Sequence, residues 1–153
     1  MPVICEAGGM SEEQQHVRDE RSVTLTRDSV GRYTVRNGRG GSITTSSGTD
    51  ELSPVELLLA GVAGCTAVDV DTVTSRRAEP ESFEIEVSAD KVKDENGNHL
   101  NDIEITFRVR FPEGESGDAA RKILPSLVRR SHEEFCTVSR TIMLSADVSA
   151  TIE

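Results

Sequence analysis

The chain has 153 residues, a length that fits one domain and buries a hydrophobic core without disulfide bonds. Its net charge of −10 disfavours contact with phosphate backbones and anionic lipids, so we expect neither nucleic acid nor a membrane as a partner. Three scattered cysteines, Cys5, Cys65 and Cys136, argue against a secreted disulfide framework, and three scattered histidines argue against a zinc site.

Residues 1–20 are polar and are expected to form a flexible or extra N-terminal segment ahead of a single domain at 21–153. This stretch lacks the basic start and the apolar run of a signal peptide, and no apolar run approaches the roughly 20 residues of a membrane span. We therefore expect a cytoplasmic location. Cys5, in this segment, is interpreted as an incidental thiol.

Short antiparallel strands are predicted in the first part of the domain. Apolar and polar residues alternate around turn signals, with apolar side chains at Val23, Leu25, Tyr33, Val35 and Ile43. The sequence "NGRGG" at 37–41 predicts a turn. Two or three strands are therefore expected here.

A long helix is predicted to begin at "SPVELLLAGVAGC". Ser53 is suited to cap it, Pro54 suits its first position, and Glu56 completes a capping box. The pattern continues to about Arg77, and Pro80 ends it. Because the first half is apolar on nearly every side, the helix is predicted to be buried and central.

Two glycines, Gly61 and Gly64, interrupt this helix, and each lowers helix propensity by about 1 kcal/mol relative to alanine. Without a Cβ, they allow another backbone to approach closely. Two such helices crossing at a dimer interface would fit this pattern.

A long β-hairpin is predicted for residues 82–111, where odd-numbered apolar residues alternate with polar ones on both strands. Asn96-Gly97 invites a two-residue turn, but that turn would place apolar Ile85 opposite Arg108. Directly paired residues share a face, so an odd-length loop or a bulge is required, for example one that pairs Ile85 with Val109.

The last third is predicted to contain helix followed by strand. Residues 117–135 have a helical pattern that Pro125 is expected to break or kink near Leu124. The helix then leads into Cys136. Residues 137–153 are predicted to form one or two closing strands.

Cys65 and Cys136 are the candidate reactive residues, although buried, inert cysteines are common. Asp69 lies one turn after Cys65 on the same helix face, where its charge would raise the thiol pKa or hold an arginine that lowers it. His132, four residues before Cys136, leaves a Cys–His pair open. A Ser-His-Asp pattern is not visible.

The combination of "SPVELLLAGVAGCTAVDV" with "SHEEFCTVSRTI" resembles the OsmC/Ohr family of osmotically inducible and organic hydroperoxide resistance proteins. The resemblance covers about residues 20–153. It implies an α+β fold with antiparallel sheets around long central cysteine-bearing helices, in an intertwined homodimer.

The resemblance also implies a chemistry. The family's peroxidases attack an organic hydroperoxide with a cysteine that matches Cys65, and a second cysteine, matching Cys136, resolves the sulfenic acid as a disulfide. A dithiol such as a lipoyl group then reduces the disulfide, and neither metal nor flavin is required. A thiolate is the nucleophile in such a reaction.

The sequence departs from the peroxidases at Val55, where they carry a glutamate that pairs with an arginine near the thiolate. Arg27 and Arg32 are the candidates for that arginine. "CTAVDV" resembles a less characterised OsmC-like branch, and we hypothesise that Asp69 replaces the glutamate as the arginine's anchor.

Two functions follow. The first is a thiol peroxidase in which Cys65 is peroxidatic, Cys136 resolving, and Arg32 or Arg27 stabilises the thiolate. The second is a dimeric stress or binding protein with little turnover, which the valine at position 55 favours. A cysteine hydrolase would need a general base that the sequence does not show.

Overall fold

A computed structural model describes residues 19–48 and 50–153 of the chain. The predicted N-terminal segment, apart from residues 19 and 20, and with it Cys5, lies outside the described residues.

The described chain is a mixed α+β structure with two antiparallel sheets. A three-stranded sheet comes first, then a long helix, a long hairpin, and a helical C-terminal region. The elements are β1 (Thr24–Ser29), β2 (Arg32–Arg36), β3 (Ser42–Ser46), α1 (Pro54–Thr74), β4 (Ser82–Asp94), β5 (Gly97–Arg110), α2 (Glu115–Arg130), a π-helical turn (Ser131–Phe135) and α3 (Thr137–Leu144).

Two or three strands are predicted near the N-terminus, and the structure has three, in the order β1-β2-β3. The predicted turn at 37–41 joins β2 to β3. The side-chain amide of Asn37 stabilises this turn, since its Oδ1 accepts hydrogen bonds of 2.9 Å from the N–H groups of Arg39 and Gly41.

Helix α1 begins as predicted, with the full capping box. Ser53 Oγ accepts from the N–H of Glu56 at 3.2 Å, and Glu56 Oε2 accepts from the N–H of Ser53 at 2.7 Å. The helix ends at Thr74, three residues before the predicted end at Arg77. Thr74 Oγ1 donates to the carbonyl of Val70 at 3.0 Å, and such local side-chain bonds compete with continuation of the helix.

One stripe of α1 is buried, and its other residues are half-buried or exposed. The stripe has a spacing of four residues and consists of Val62, Thr66, Val70 and Thr74. By length and composition alone, α1 is long and apolar enough to cross a membrane. This corrects the expectation that no apolar run approaches the length of a membrane span. Core helices of soluble proteins meet the same criterion, and in this chain α1 packs against β3, β4, α2, α3 and the π-helical turn.

The long hairpin is confirmed, and a bulge sets its register. Asp94 pairs with Gly97 across a turn at 95–96, and near Ala89 one residue of β4 faces two of β5. Asp102 takes the left-handed conformation there, with φ of 50°. The bulge that parity required is therefore present, but Ile85 pairs with Phe107 and not with Val109.

A small apolar core joins the hairpin to α2. Phe111, just after β5, is 5% exposed and clusters with Ala78 and Ala120, and the partly buried Val109 and Leu124 pack against them. This core attaches the amphipathic face of α2 to the end of the hairpin.

Of the break or kink predicted at Pro125, the break is absent. Helix α2 runs from Glu115 to Arg130 with Pro125 inside it. Proline removes only the hydrogen bond to the carbonyl of Arg121. Burial of Ala120 and partial burial of Leu124, both just before the proline, help to offset that loss.

The predicted closing strands are also absent from the described chain. Residues Thr137–Leu144 form α3, and residues 146–153 have no regular structure. The helix forms because Cys136, in an extended conformation, caps it, and Ser145 ends it with φ of 54°. Val148 and Ile152 are 95% and 98% exposed, so this segment gains no burial from pairing within the chain.

Replacing Phe111 tests the core. Phe111→Ala should lower the free energy of unfolding by about 3–5 kcal/mol, because it removes a buried aromatic ring and leaves a cavity. Urea denaturation followed by circular dichroism measures the change. A loss below about 1 kcal/mol would mean that this cluster is not the core.

Candidate functional site

The fold brings Cys65 and Cys136 together, 71 positions apart in sequence. Cys65 lies on α1 and is half-buried, whereas Cys136 is fully buried and caps α3. The two thiols are free, and Cys136 lies near enough to Cys65 to raise the pKa of its thiol. The fold thus places the two candidate cysteines near each other, and their pairing in a reaction stays a prediction.

Backbone hydrogen bonds hold Cys136 in place. Its N–H donates to the carbonyl of Ser131 at 2.7 Å, which closes the π-helical turn, and its Sγ accepts from the N–H of Ser139 at 3.3 Å. Because α3 starts at Cys136, its first N–H groups point toward the two sulfurs.

Burial raises the pKa of the Cys65 thiol above its ordinary value. The backbone N–H groups of Val138 and Thr137 oppose this by favouring the thiolate, while the neighbouring Cys136 thiol raises the pKa further. In a single chain, the positive end of α3 thus only partly offsets the cost of desolvating a thiolate.

The two glycines of α1 have different surroundings. A Cβ on Gly61 would stand 3.8 Å from Val138 Cγ1, so α3 packs against α1 at this point. A Cβ on Gly64 would meet nothing within 4 Å. Gly61 therefore faces a neighbour within the chain, and Gly64 faces open space.

Asp69 contacts a serine instead of an arginine. Its Oδ2 accepts a hydrogen bond of 2.8 Å from Ser131 Oγ, and Ser131 Oγ lies 2.8 Å from Thr66 Oγ1. The hypothesis that Asp69 anchors an arginine is thus not met by the contacts within the described chain.

The candidate arginines lie on the first sheet. Arg32 forms ion pairs with Glu51 at 2.7 Å and with Asp28 at 3.2 Å. Arg27 is exposed on β1, where it pairs with Tyr33 of β2, and within the described ranges its guanidinium makes no hydrogen bond or ion pair. Neither guanidinium is among the groups that shift the pKa of Cys65.

The Cys–His alternative receives no support. His132 is exposed, and its imidazole makes no hydrogen bond or ion pair within residues 19–48 and 50–153. It lines a mainly apolar cavity of about 320 Å³ between β5 and α3, together with Val62, Leu100, Ile103, Ile142 and Met143. Neither sulfur lines this cavity.

The described residues contain no group of three or more His, Cys, Asp or Glu side chains that could hold a metal ion. The site therefore consists of two thiols, the start of α3, and the hydroxyl and carboxyl groups of Ser131, Thr66 and Asp69.

Sequence reasoning found the two cysteines and Asp69 but missed Ser131 and Thr66. The only signal for them was position, since Thr66 follows Cys65 and Ser131 precedes Cys136 by five residues. Hydroxyl side chains are too common for such spacing to predict a contact.

The sequence profile of the family described as "OsmC-like protein" matches residues 46–151, which include both cysteines and the whole described site. The chain belongs to this family. A search of curated proteins finds no match.

Solved structures share the fold. A hypothetical protein from Aquifex aeolicus VF5 is 23% identical with a TM-score of 0.67, and the alignment covers 85% of this chain and 92% of that one. An OsmC-like protein of unknown function from Vibrio cholerae O1 biovar eltor is 16% identical, with a TM-score of 0.66 and coverage of 81% and 94%.

An organic hydroperoxide resistance protein from Legionella pneumophila, described as a predicted redox protein, is 15% identical. Its TM-score is 0.55, and the alignment covers 83% of this chain and 91% of that one. At these identities the similarity establishes only the OsmC-like fold, and the activity has to be inferred from the residues of the site.

The Cys65 environment predicts a pH dependence. Because its pKa is raised, Cys65 should be mostly thiol at pH 7. An ordinary cysteine has a pKa of about 8.5, so the alkylation rate of Cys65 should still increase above that pH. Iodoacetamide labelling of the reduced protein, read by mass spectrometry of the Cys65 peptide, measures the midpoint. The urea-unfolded protein is the control. A folded midpoint below the unfolded one would show that a cation outside this set of contacts approaches the sulfur.

Proposed function

We propose that this OsmC-like protein is a thiol peroxidase that reduces organic hydroperoxides in a peroxide-related stress response. The observation that carries the proposal is the proximity of Cys65 to Cys136 at the start of α3. Family membership supports the peroxide-related role, since the match spans both thiols.

The proposed cycle has two oxidative steps. The Cys65 thiolate attacks the distal peroxide oxygen, so that an S–O bond forms, the O–O bond breaks, and the alkoxide takes up a proton and leaves as an alcohol. The Cys136 sulfur then attacks the Cys65 sulfenic acid. An S–S bond forms, the S–O bond breaks, and the Cys136 proton leaves with the hydroxide as water.

A dithiol, such as a lipoyl group on a partner protein, would return the disulfide to two thiols while becoming a disulfide itself. The cycle needs no metal or flavin. A cytoplasmic location would suit it, because a reducing compartment keeps the dithiol available. Neither nucleic acid nor a membrane is proposed as a partner of this acidic chain.

The alternative is a dimeric OsmC-like stress or binding protein with little turnover. Two observations favour it: Val55 is apolar and 40% exposed, and the pKa of Cys65 is raised in the single chain. A thiol that stays protonated at neutral pH reacts slowly with peroxide.

Peroxide consumption separates the two functions. With dithiothreitol as reductant, the wild-type protein should consume cumene hydroperoxide, and Cys65→Ser should abolish consumption because the attacking sulfur is gone. Cys136→Ser should still form one sulfenic acid per chain, which dimedone traps, but should lose resolution through the intramolecular disulfide.

Equal rates for wild type and Cys65→Ser would discard the peroxidase and leave the binding protein. Cys5→Ser serves as the matched control, since it removes a thiol outside the described site. Its rate should equal that of the wild type.

We further propose that the protein is a homodimer. The chain exposes 12540 Å², whereas a compact monomer of 16.6 kDa exposes about 7600 Å². The nineteen residues outside the described ranges contribute at most about 3000 Å². The remaining excess, roughly 1900 Å² per chain, is in the range that an obligate dimer buries.

The exposed apolar residues indicate where a second copy would pack. On the first sheet Leu25 and Ile43 are 53% and 43% exposed, and on α1 Val68 is 66% exposed beside the open Gly64. A three-stranded sheet needs an apolar face covered to be stable. In the dimer α1 would be central, and an arginine such as Arg32 would reach Cys65 only from the partner chain.

Analytical ultracentrifugation tests this assembly. The wild type should sediment as a dimer of about 33 kDa, twice the chain mass of 16.6 kDa. Val68→Lys should shift it toward monomer, because a charge would be buried at the interface. Val30→Lys, at an 87% exposed valine between β1 and β2, is the control. A wild-type monomer would contradict the proposal.

A further inference from the structure

We infer that Ser131 is a positioning residue that holds Cys136 in register with Cys65 by tying the π-helical turn to α1. The inference rests on the proposed pairing of the two thiols. It assigns a role to a residue that touches neither the peroxide nor the reacting sulfurs.

Ser131 is fully buried at the junction of two elements. It follows the last residue of α2, Arg130, and begins the π-helical turn. Its exposed fraction is 0%, as is that of Thr66. Its side chain reaches α1 across more than sixty residues of sequence, so the contact is tertiary.

The hydrogen bonds have a defined direction. A serine hydroxyl has one proton, and Ser131 Oγ donates it to Asp69 Oδ2 at 2.8 Å. Thr66 Oγ1, at 2.8 Å, must then be the donor to Ser131 Oγ. The chain of bonds from Thr66 through Ser131 to Asp69 therefore uses both the donor and an acceptor site of the serine.

The main chain of the same residue holds Cys136. The carbonyl of Ser131 accepts the Cys136 N–H at 2.7 Å, five residues later, which defines the π-helical turn. One residue thus fixes α1 with its side chain and the second cysteine with its backbone. Short π-helical segments often occur at functional sites.

The α1 end of the bridge surrounds the first cysteine. Thr66 follows Cys65 directly, and Asp69 lies one turn later. A shift of Ser131 relative to α1 would consequently change the separation of the two sulfurs. Disulfide formation tolerates little such change, because its S–S length and dihedral angle are specific.

The equilibrium between dithiol and disulfide tests this role without any hydroperoxide. Protein would be equilibrated in mixtures of reduced and oxidised dithiothreitol, quenched with acid, alkylated, and analysed by mass spectrometry for the Cys65–Cys136 disulfide. Ser131→Ala should lower the equilibrium constant for disulfide formation about tenfold, since misplaced reacting groups lose effective concentration.

Two further variants separate charge from position. Asp69→Asn keeps an oxygen that accepts from Ser131 and should leave the constant near the wild-type value, whereas Asp69→Ala should lower it as Ser131→Ala does. Ser126→Ala is the matched control, because Ser126 Oγ bonds only the carbonyl of Ile123 within α2. It should leave the constant unchanged.

Thr66→Val provides the test if Ser131→Ala does not fold, since it removes one bond of the bridge and keeps the shape of the side chain. The inference would be overturned if folded Ser131→Ala kept the wild-type equilibrium constant for disulfide formation. If Ser131→Ala does not fold, the same result for Thr66→Val would overturn it. A wild-type protein that forms no Cys65–Cys136 disulfide would overturn it too. A wild type that forms the disulfide but consumes no peroxide would refute only the proposed activity.

Discussion

The buried stripe of α1 is the constraint on which the rest of the structure depends. Val62, Thr66, Val70 and Thr74 repeat every four residues, so they follow one side of the helix with a slight drift. Strands β3 and β4, helix α2, the π-helical turn and α3 all contact α1. Two of the four residues carry hydroxyls, and at Thr66 the hydroxyl also joins a polar bridge. The stripe therefore determines both the packing and where the second cysteine lies.

Much of the fold could be predicted because it is encoded locally. The capping box at Ser53 and Glu56 and the alternation along the hairpin are short-range patterns, and both are present. Parity required a bulge but did not locate it, because an aspartate at φ of 50° is not visible in a pattern of apolar residues. Helix α2 continues through Pro125 because the packing of Ala120 and Leu124 against the hairpin outweighs one lost hydrogen bond.

The C-terminal region shows why the site was harder to predict than the fold. Residues 137–144 carry apolar side chains at spacings compatible with either strand or helix, and the cap at Cys136 decides for helix. The bridge through Ser131 depends on residues brought together by tertiary structure. Asp69 was identified from its helix face, yet its partner is a neutral hydroxyl, so its contribution within the chain is directional hydrogen bonding.

The burial of Cys136 also fixes the direction in which a disulfide between the two cysteines would be opened. An incoming thiolate must approach along the extension of the S–S bond, and only the Cys65 sulfur borders solvent, since Cys136 is 0% exposed. The mixed disulfide with the reductant would then form on α1, and Cys136 would depart as the leaving group. The N–H of Ser139 already faces that sulfur at 3.3 Å and would stabilise the charge as it leaves. One cysteine would thus exchange partners while the other never meets a molecule outside the protein.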